Sequence, residues 1–351
     1  MKVKTTSFES LLGRMFAILP LAGLLSCGLV MEDLAECPSP VTELRFVYEY
    51  NMERANAFHN QVDCLSAMFF DSDGTLVAVE KEIDRSLLAD ENYRMRPELP
   101  DGTYHVVVYG GMECENASFS HARNMIVGSS KLSDLRVQLY PSCLTDSDRH
   151  RLHNHYYGAA DFTVVSGKDT YVTVEMMRNT NSVQVALQNE NGGVIDHNDF
   201  IFEIIDDNND FNHENNLLTT GEITYKPWIT ENRSTGTVSK AGGDDDEWYA
   251  ALARFTTSRL VIANPQTKPT AATLRIRRSD SGETVFRIPL VNYMLMFKHD
   301  NSDAGLEDMG DQEYLDRENT WNFVFFLKDG LWVDGHIIIN DWEVRMNNTD
   351  F

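Results

Sequence analysis

Apolar and polar residues alternate with a period of two in many short segments of this chain, which is the pattern of half-buried β-strands. In the first such segment, residues 44–50, Leu44, Phe46 and Tyr48 take every second position. Further strands are predicted at residues 65–70, 75–79, 103–109, 135–139, 170–176, 182–187, 200–205, 259–263, 272–277, 284–289, 320–327 and 332–339, with a short helix within 85–96. Because strands do not alternate with long helices, the pattern predicts an all-β protein built from β-sandwiches.

The second and third predicted strands are joined by Asp-Ser-Asp-Gly at residues 71–74. These residue types favour a hairpin turn. A calcium loop is the alternative, but aligning Gly74 and Glu80 with such a loop puts Phe69 where an oxygen ligand is needed. We therefore predict a hairpin turn.

The N-terminus has the form of a secretory signal, with basic residues followed by an apolar run at 15–25. That run is shorter than the roughly 20 residues that a membrane-spanning helix needs. It ends in Leu-Leu-Ser before Cys27, which is similar to the cleavage site of a lipoprotein. We predict a signal peptide at 1–26 and lipidation of Cys27. The alternative is an ordinary signal peptide cleaved near Ser26, with Cys27 a structural cysteine.

The chain after the signal, 351 minus 26 residues, exceeds what one apolar core usually serves. We predict a tether at 27–43 and two domains at 44–160 and 161–351, divided within the Gly- and Ser-containing stretch 155–168.

Two segments rich in Asp, Asn or Gly, residues 206–216 and 234–247, are predicted to be loops. Solvated loops are favoured over calcium sites.

The charge of the chain excludes one class of function, and its cysteines predict disulfides. The chain has 54 acidic against 30 basic residues and a formal net charge of −24, which argues against nucleic-acid binding. Cys37, Cys64, Cys114 and Cys143 remain after Cys27. In an exported chain they predict up to two disulfides, and the sequence leaves three pairings open.

Candidate catalytic and metal-binding residues form no recognisable site. The chain lacks a Gly-x-Ser-x-Gly elbow and a glycine-rich phosphate loop, so we predict neither an enzyme nor a cofactor. His150, His153 and His155 lie close together, but without the acidic partner of a HExxH motif. A solvated loop between domains is favoured over a metal site, and no metal is predicted.

Several ordered segments carry a resemblance to a known family. They are Cys37-Pro38, residues 44–52, residues 69–74, Leu-Pro-Asp-Gly-Thr-Tyr at 99–104, Val-Tyr-Gly-Gly at 108–111 and Ile-Ile-Asn-Asp-Trp at 338–342. Their order resembles FimB-like fimbrial anchoring lipoproteins of type V pili, in the fimbrillin superfamily. The likeness is densest over 24–111, and it departs from the family pattern at Leu25 and Cys64.

The resemblance implies two tandem transthyretin-like Greek-key β-sandwich domains. It also implies a lipoprotein at the outer membrane, facing the cell surface, that holds the base of a fimbrium and limits its length. Stalk subunits of this family are cut after an arginine and lose their first strand. The C-terminal segment of a neighbour then fills the groove by strand addition.

Arg45 is the first arginine after Cys27 and lies in the first predicted strand. Cleavage there would release the body from its lipid, so an anchor must keep this strand, and its closed groove would end growth. We hypothesise that the last strand, taken as residues 332–344, reaches the stalk subunit, because its apolar positions suit groove filling. These positions are Trp332, Ile337, Ile339 and Trp342. The alternative is that it is simply the last core strand.

Surface glycan binding is the second function that the sequence leaves open. All five tryptophans lie in the second half, at positions 228, 248, 321, 332 and 342. Such side chains can form an aromatic platform for a sugar. Three of them lie in predicted strands, where packing in a core is the more usual role.

Overall fold

The computed structural model describes residues 39–238, 246–300, 306, 308–340 and 342–345. Strands account for 45 % of the structure and helices are few, so the predicted all-β fold is confirmed. The strands are β1 (Thr42–Val47), β2 (Leu65–Phe70), β3 (Leu76–Glu82), β4 (Gly102–Gly110), β5 (Phe119–His121), β6 (Arg136–Leu139), β7 (Tyr156–Val164), β8 (Thr170–Arg178), β9 (Thr180–Asn189), β10 (Phe200–Asp206), β11 (Asp210–Asn212), β12 (Ile223–Tyr225), β13 (Ile229–Val238), β14 (Asp246–Ser258), β15 (Thr273–Arg278), β16 (Thr284–Pro289), β17 (Thr320–Lys328), β18 (Leu331–Ile339) and β19 (Trp342–Arg345). The α-helices are α1 (Phe58–Gln61), α2 (Arg85–Leu88), α3 (Ser142–Thr145), α4 (Leu290–Asp300) and α5 (Asp311–Arg317), and short 3-10 helices lie at Leu132–Asp134, Ser147–Arg149 and His197–Asp199.

Strands β2 and β4 are neighbours in the interior of a six-stranded sheet with the order β1-β8-β7-β4-β2-β3. Their apolar runs are buried on both faces. Phe69 and Val106 face an N-terminal core, whereas their neighbours Phe70 and Val107 face a larger central core. Since successive side chains of a strand point to opposite faces, a continuous apolar run places this sheet between two packed layers.

The predicted hairpin between β2 and β3 is confirmed. The Asp71 carboxylate accepts hydrogen bonds from the backbone N–H groups of Asp73 (3.0 Å) and Thr75 (2.8 Å). Gly74 has a φ of +69°, a conformation that glycine adopts without the steric penalty of a Cβ. The predicted short helix is α2, which begins after Asp84, whose side chain accepts from the N–H of Ser86.

Three further sheets are built mainly from the second half of the chain. Their orders are β13-β14-β9-β17-β18-β19, β12-β10-β15-β16 and β11-β6-β5. In β17 the residues Trp321, Phe323, Phe325 and Leu327 alternate into the central core. The three-stranded sheet pairs β11 with β6, which precedes it by about 70 residues and belongs to the first half. The two halves therefore share both a sheet and a core.

The predicted boundary at 160/161 falls inside β7. This strand pairs with β4 from Gly102↔Val164 to Gly110↔Tyr156, and β8 continues the same sheet to Arg178. A boundary at 160/161 is therefore wrong, because the first sheet passes through it. The described residues from Val41 onward form one compact unit, and a division into two domains remains a prediction.

Further expectations are overturned. The strand predicted at 259–263 is absent, since β14 ends at Ser258 and the Arg259 side chain pairs with Asp316 (Nε–Oδ1 2.7 Å). The segment 206–216 is not a solvated loop, because β11 joins it to β6 and Lys268 pairs with Asp206. Its buried polar residues are Asp206, Asp207, Asn208, Asp210 and Asn215. Of the second predicted loop, residues 234–238 and 246–247 belong to β13 and β14, which contradicts the prediction, and residues 239–245 lie outside the described residues.

Cys64 is joined to Cys114 by a disulfide, with the Cα atoms 5.5 Å apart. The Cys143 thiol is free and buried, and burial raises its pKa. Cys37 lies outside the described residues, so its pairing remains open.

Replacing both Cys64 and Cys114 by alanine is expected to lower the free energy of unfolding by about 4 kcal/mol in the chain-entropy account. The reason is that the disulfide closes a loop with a sequence separation of 50 residues, which restricts the unfolded chain. Urea unfolding of the double variant beside wild type would measure the change. Cys143→Ala is the matched control, and peptide mapping without reductant that showed another pairing would contradict the prediction.

Candidate anchoring site

The first strand, β1, is paired along the whole of one edge and bridged at one residue on the other. It runs parallel to β8 over six residue pairs, from Thr42↔Thr170 to Val47↔Glu175. On its other edge, the backbone of Leu44 exchanges two hydrogen bonds with Met95, of 2.9 and 3.1 Å. An edge strand usually leaves one row of backbone groups unpaired. In β1 the N–H and C=O groups of Leu44 in that row are already paired with Met95.

Alternate side chains of β1 and of the residue that follows it fill the N-terminal core. Leu44, Phe46 and Tyr48 are at most 1 % exposed. The Phe46 ring stacks on Phe58 at a centroid distance of 5.6 Å, and the Tyr48 ring meets Tyr156 edge-on at 5.3 Å. The apolar positions that alternate in the sequence are thus the positions whose side chains contact the core. Removing the strand would expose a long apolar groove.

Residues from the second half hold the end of β1 in place. The Asn319 amide donates a hydrogen bond to the Tyr48 hydroxyl at 3.0 Å. The Arg317 guanidinium lies over the Tyr50 ring, 4.2 Å from its centroid, a cation–π contact. Burial raises the pKa of Tyr48, so its hydroxyl keeps its proton at neutral pH. The first strand is therefore tied to a part of the chain about 270 residues away.

Arg45 lies on the exposed side of β1, and its backbone pairs with Thr173 of β8. No lysine or arginine stands between Cys27 and Arg45. Arg45 is thus the first residue after the proposed lipid site at which an arginine-specific protease could cut. A protease binds its substrate as an extended, unpaired segment, and β1 must leave the sheet to provide one.

The proposed donor segment lies in the core of its own chain. Ile337 and Ile339 of β18 are at most 1 % exposed, and β18 pairs with β17 through Phe325↔Ile337 and Phe323↔Ile339. Trp332 packs on Phe286, with ring centroids 5.0 Å apart. β19 pairs with β18 at the end of the sheet, and the Trp342 side chain lies outside the described residues. Donation of β18 would therefore empty part of the central core.

Among the described residues the remaining tryptophans present no common exposed face, although Trp228 and Trp321 both line one small hollow. Trp321 is fully buried. One face of Trp228 is covered by the Arg151 guanidinium, 4.7 Å from the ring centroid. Trp248 lies against Gly192, where an added Cβ would stand 2.1 Å from the indole.

The prediction that the three histidines lie in a solvated loop is wrong. His150 and His155 are buried, and the His155 ring stacks between Phe119 (4.5 Å) and Tyr109 (5.7 Å). Burial lowers the pKa of His155 to about 3, and it lowers the pKa of neighbouring His121 to about 4. Both rings are therefore neutral in the folded protein at neutral pH.

Stability is expected to fall as the pH drops from about 6.5, the pKa of an unperturbed histidine, towards 4. In that range the unfolded chain binds protons at His121 and His155 while the folded protein does not, since the pKa is depressed in the folded state. Each histidine contributes a slope of up to about 1.4 kcal/mol per pH unit. Urea unfolding at several pH values would measure it. The slope should be smaller for His155→Phe, and an unchanged slope in that variant would contradict the assignment.

No helix among the described residues is both long and apolar enough to cross a membrane. Over the same residues, no group of three or more His, Cys, Asp or Glu side chains is placed to hold a metal ion. Cys27, the proposed lipid site, lies outside the described residues.

Solved structures of similar fold come from species of Bacteroides and Porphyromonas. A candidate adhesin of Bacteroides thetaiotaomicron shares 40 % identity, with a TM-score of 0.80 over 89 % of this chain and 100 % of its own. A candidate polysaccharide-binding protein from the same organism shares 27 % identity, with a TM-score of 0.73 over 88 % and 99 %. The fimbrial anchor protein Mfa2 of Porphyromonas gingivalis shares 16 % identity, with a TM-score of 0.63 over 88 % and 100 %, which shows a common fold.

A search of curated proteins found no significant match. A family model described as Mfa2, fimbrillin-A associated anchor proteins Mfa1 and Mfa2, matches residues 34–348. This match covers most of the chain, and the resemblance to fimbrial anchors seen in the sequence is confirmed. The chain belongs to the family of fimbrillin-A associated anchor proteins.

Proposed function

We propose that this protein is lipidated at Cys27, holds the base of a type V pilus at the outer membrane and ends the growth of the filament. The observation that supports this most directly is the embedding of β1 between β8 and Met95. In stalk subunits of the family, as the resemblance implies, loss of the first strand opens the groove that accepts a donor. A subunit that keeps β1 offers no such groove.

At the base of a filament the anchor has to contact only one stalk subunit, so only one of its two assembly surfaces, the groove or the C-terminal segment, has to be available. Its own groove is filled by Leu44, Phe46 and Tyr48, so it does not accept a donor, and its C-terminal segment is the part that can join a stalk subunit by strand addition. Because Ile337 and Ile339 of β18 belong to the central core, we propose that β19 and the residues after it engage the partner first.

Two truncations separate the roles of β18 and β19. A chain ending at Asn340 lacks β19 and keeps the core residues of β18, so it should fold and fail to hold stalk subunits. A chain ending at Gly330 also loses β18 and should unfold or aggregate. If the chain ending at Asn340 binds stalk subunits as well as wild type does, the proposed donor is wrong.

Lipid anchoring is tested by Cys27→Ala in the native cell. Palmitate labelling, this protein and filaments would be measured in cells and in the culture medium. Anchoring predicts loss of label and the appearance of both protein and filaments in the medium. Cys37→Ala is the control, since it removes a nearby thiol outside the cleavage motif. Release of the protein without the filaments would retain the lipid site and overturn the anchoring role.

A second candidate function is the binding of a surface glycan. The relative with 27 % identity is described as a candidate polysaccharide-binding protein, and this chain has a polar cleft of about 920 Å³. Ligand sites for small molecules have volumes of roughly 300–1,000 Å³. Pull-down on insoluble polysaccharides tests it, and it is independent of filament attachment.

A further inference from the structure

We propose that the polar cleft of about 920 Å³ binds an acidic oligosaccharide, in which uronic acid carboxylates are spaced by neutral hydroxyl groups. The proposal rests on the second candidate function and assigns it a site and a ligand class. The cleft is lined by residues of both halves of the chain, from Asp63 to Thr256. A smaller hollow of about 170 Å³ adjoins it and shares Arg151, Ser182 and Thr256 with it.

The wall of the cleft is built by the segment 147–155 that leads into β7. Its backbone is fixed from both halves. The N–H of Leu152 donates to the Thr256 hydroxyl on β14 at 2.6 Å, and the N–H of His153 donates to the Ser118 hydroxyl at 2.8 Å. Groups on this segment are thus held in place before any ligand arrives, which lowers the entropy lost on binding.

Three guanidinium groups line the cleft, and their contacts among the described residues are with neutral groups: Arg149, Arg151 and Arg178. Arg178 donates to Thr180 (3.1 Å), Asn319 (3.0 Å) and Asn154 (2.8 Å), all of which are neutral.

The other two arginines are similar. Arg149 donates to the Ser142 hydroxyl (2.9 Å) and to the carbonyl of Ala117 (2.6 Å), and Arg151 stacks on Trp228. Each group has N–H donors left over, since a guanidinium carries five. A carboxylate is the acceptor whose planar shape matches such a donor.

The adjoining hollow has an aromatic wall. Trp228 and Trp321 both line it, and the indole N–H of each is buried without a hydrogen-bond partner in the described part of the chain. Buried donors of this kind are rare in native proteins because each one loses its hydrogen bonds to water. Both nitrogens are closed to solvent, so a sugar hydroxyl could accept from them only after the rings move.

Acidic side chains in the cleft restrict the kind of anion. Asp63 is paired with Arg85 at 3.0 Å and lies 3.8 Å from His153, whereas Glu115 and Asp148 are exposed. These carboxylates would repel a dense polyanion such as a nucleic acid. A chain of sugars with isolated carboxylates can place its charges over the arginines and its hydroxyls near the acids.

Calorimetric titration of the full chain tests the proposal. The probes are short oligomers of galacturonic acid and of mannuronic acid, the same oligomers with methyl-esterified carboxyls, and a short poly-glutamate of equal charge. We expect binding of at least one acid oligomer, with at least tenfold weaker binding of its methyl ester. Arg151→Gln should weaken binding about tenfold, since it removes a charge-assisted hydrogen bond. Arg287→Gln, which removes an exposed arginine of β16 that does not line the cleft, should leave it unchanged.

Several outcomes would overturn the proposal. They are no binding of either acid oligomer, equal binding of the methyl esters, equal binding of poly-glutamate, or equal loss in the two arginine variants. Retention of an insoluble neutral polysaccharide alongside any of them would keep glycan binding as a function and remove only the acidic ligand and the cleft. A protein that binds no glycan at all would lose both.

Discussion

Replacing Phe46 by alanine is expected to destabilise the folded protein by about 3–5 kcal/mol and to expose Arg45 to cleavage by trypsin. Phe46 is 1 % exposed and stacks on Phe58 and Tyr93 at centroid distances of 5.6 and 6.4 Å. Its loss leaves a cavity in the N-terminal core beneath β1. Urea unfolding gives the stability, and mass spectrometry of limited digests gives the rate of cutting after Arg45.

A matched control separates local opening from general instability. Phe286→Ala removes a ring that is 5 % exposed and packs on Phe325 and Trp332 in the central core. It should cause a comparable loss of stability without faster cutting at Arg45 under native conditions. Equal rates in the two variants would mean that β1 opens only when the whole protein unfolds.

The same variant connects the strand to the proposed function. If retention of β1 is what ends filament growth, a Phe46→Ala protein that remains folded should lose β1 to an arginine-specific protease. Cleavage of the bond between Arg45 and Phe46 would then separate the lipidated N-terminal fragment from the folded body. Filaments would detach, as they would in Cys27→Ala, but the lipidated N-terminal fragment would stay with the cells.

The sequence predicted most strands because their signal is local. The alternation in β1, β16, β17 and β18 and the continuous apolar runs in β2, β4 and β10 are visible within each segment, since one face or both faces of the strand are buried. In β7 the glycine was misleading. Gly158 lies where a Cβ would be 2.7 Å from the carbonyl of Glu175 on β8, so it permits close approach of two strands and does not mark a linker.

Burial of polar residues depends on partners that are distant in the sequence. The Asp- and Asn-rich segment 206–216 has the composition of a surface loop, but Lys268, Arg136 and Arg259 reach it from elsewhere in the chain. No local pattern announces such partners. Helices α4 and α5 were not predicted, because segments of 11 and 7 residues hold few helical turns in which a period of 3.6 can show.

The candidate anchoring site was partly visible in the sequence. The apolar face of β1 and the position of Arg45 follow from alternation and from the order of charged residues. The contacts that hold the strand, from Asn319 and Arg317, join residues more than 260 positions apart. The arginines of the cleft are likewise collected from segments that only the folded chain brings together.

Replacing Lys268 by methionine is expected to lower the free energy of unfolding by about 3–5 kcal/mol. The Lys268 ammonium and the Asp206 carboxylate form an ion pair with side chains 1 % and 0 % exposed, and Lys268 also donates to the carbonyl of Thr270 at 2.7 Å. Burial raises the pKa of Asp206 and the ammonium opposes this. Methionine has a similar volume but leaves the carboxylate without its counter-charge.

The pH dependence and a double variant distinguish this from a packing defect. Without Lys268 the pKa of Asp206 in the folded protein rises further above its unfolded value. The stability of Lys268→Met should therefore fall as the pH rises through that folded-state pKa, and its deficit relative to wild type should be larger at pH 8 than at pH 5. Asp206→Leu combined with Lys268→Met removes both charges and should recover most of the loss, since an apolar pair of similar volume often replaces a buried ion pair without penalty. If the double variant is less stable than Lys268→Met alone and the deficit does not depend on pH, the buried charge is not the cause.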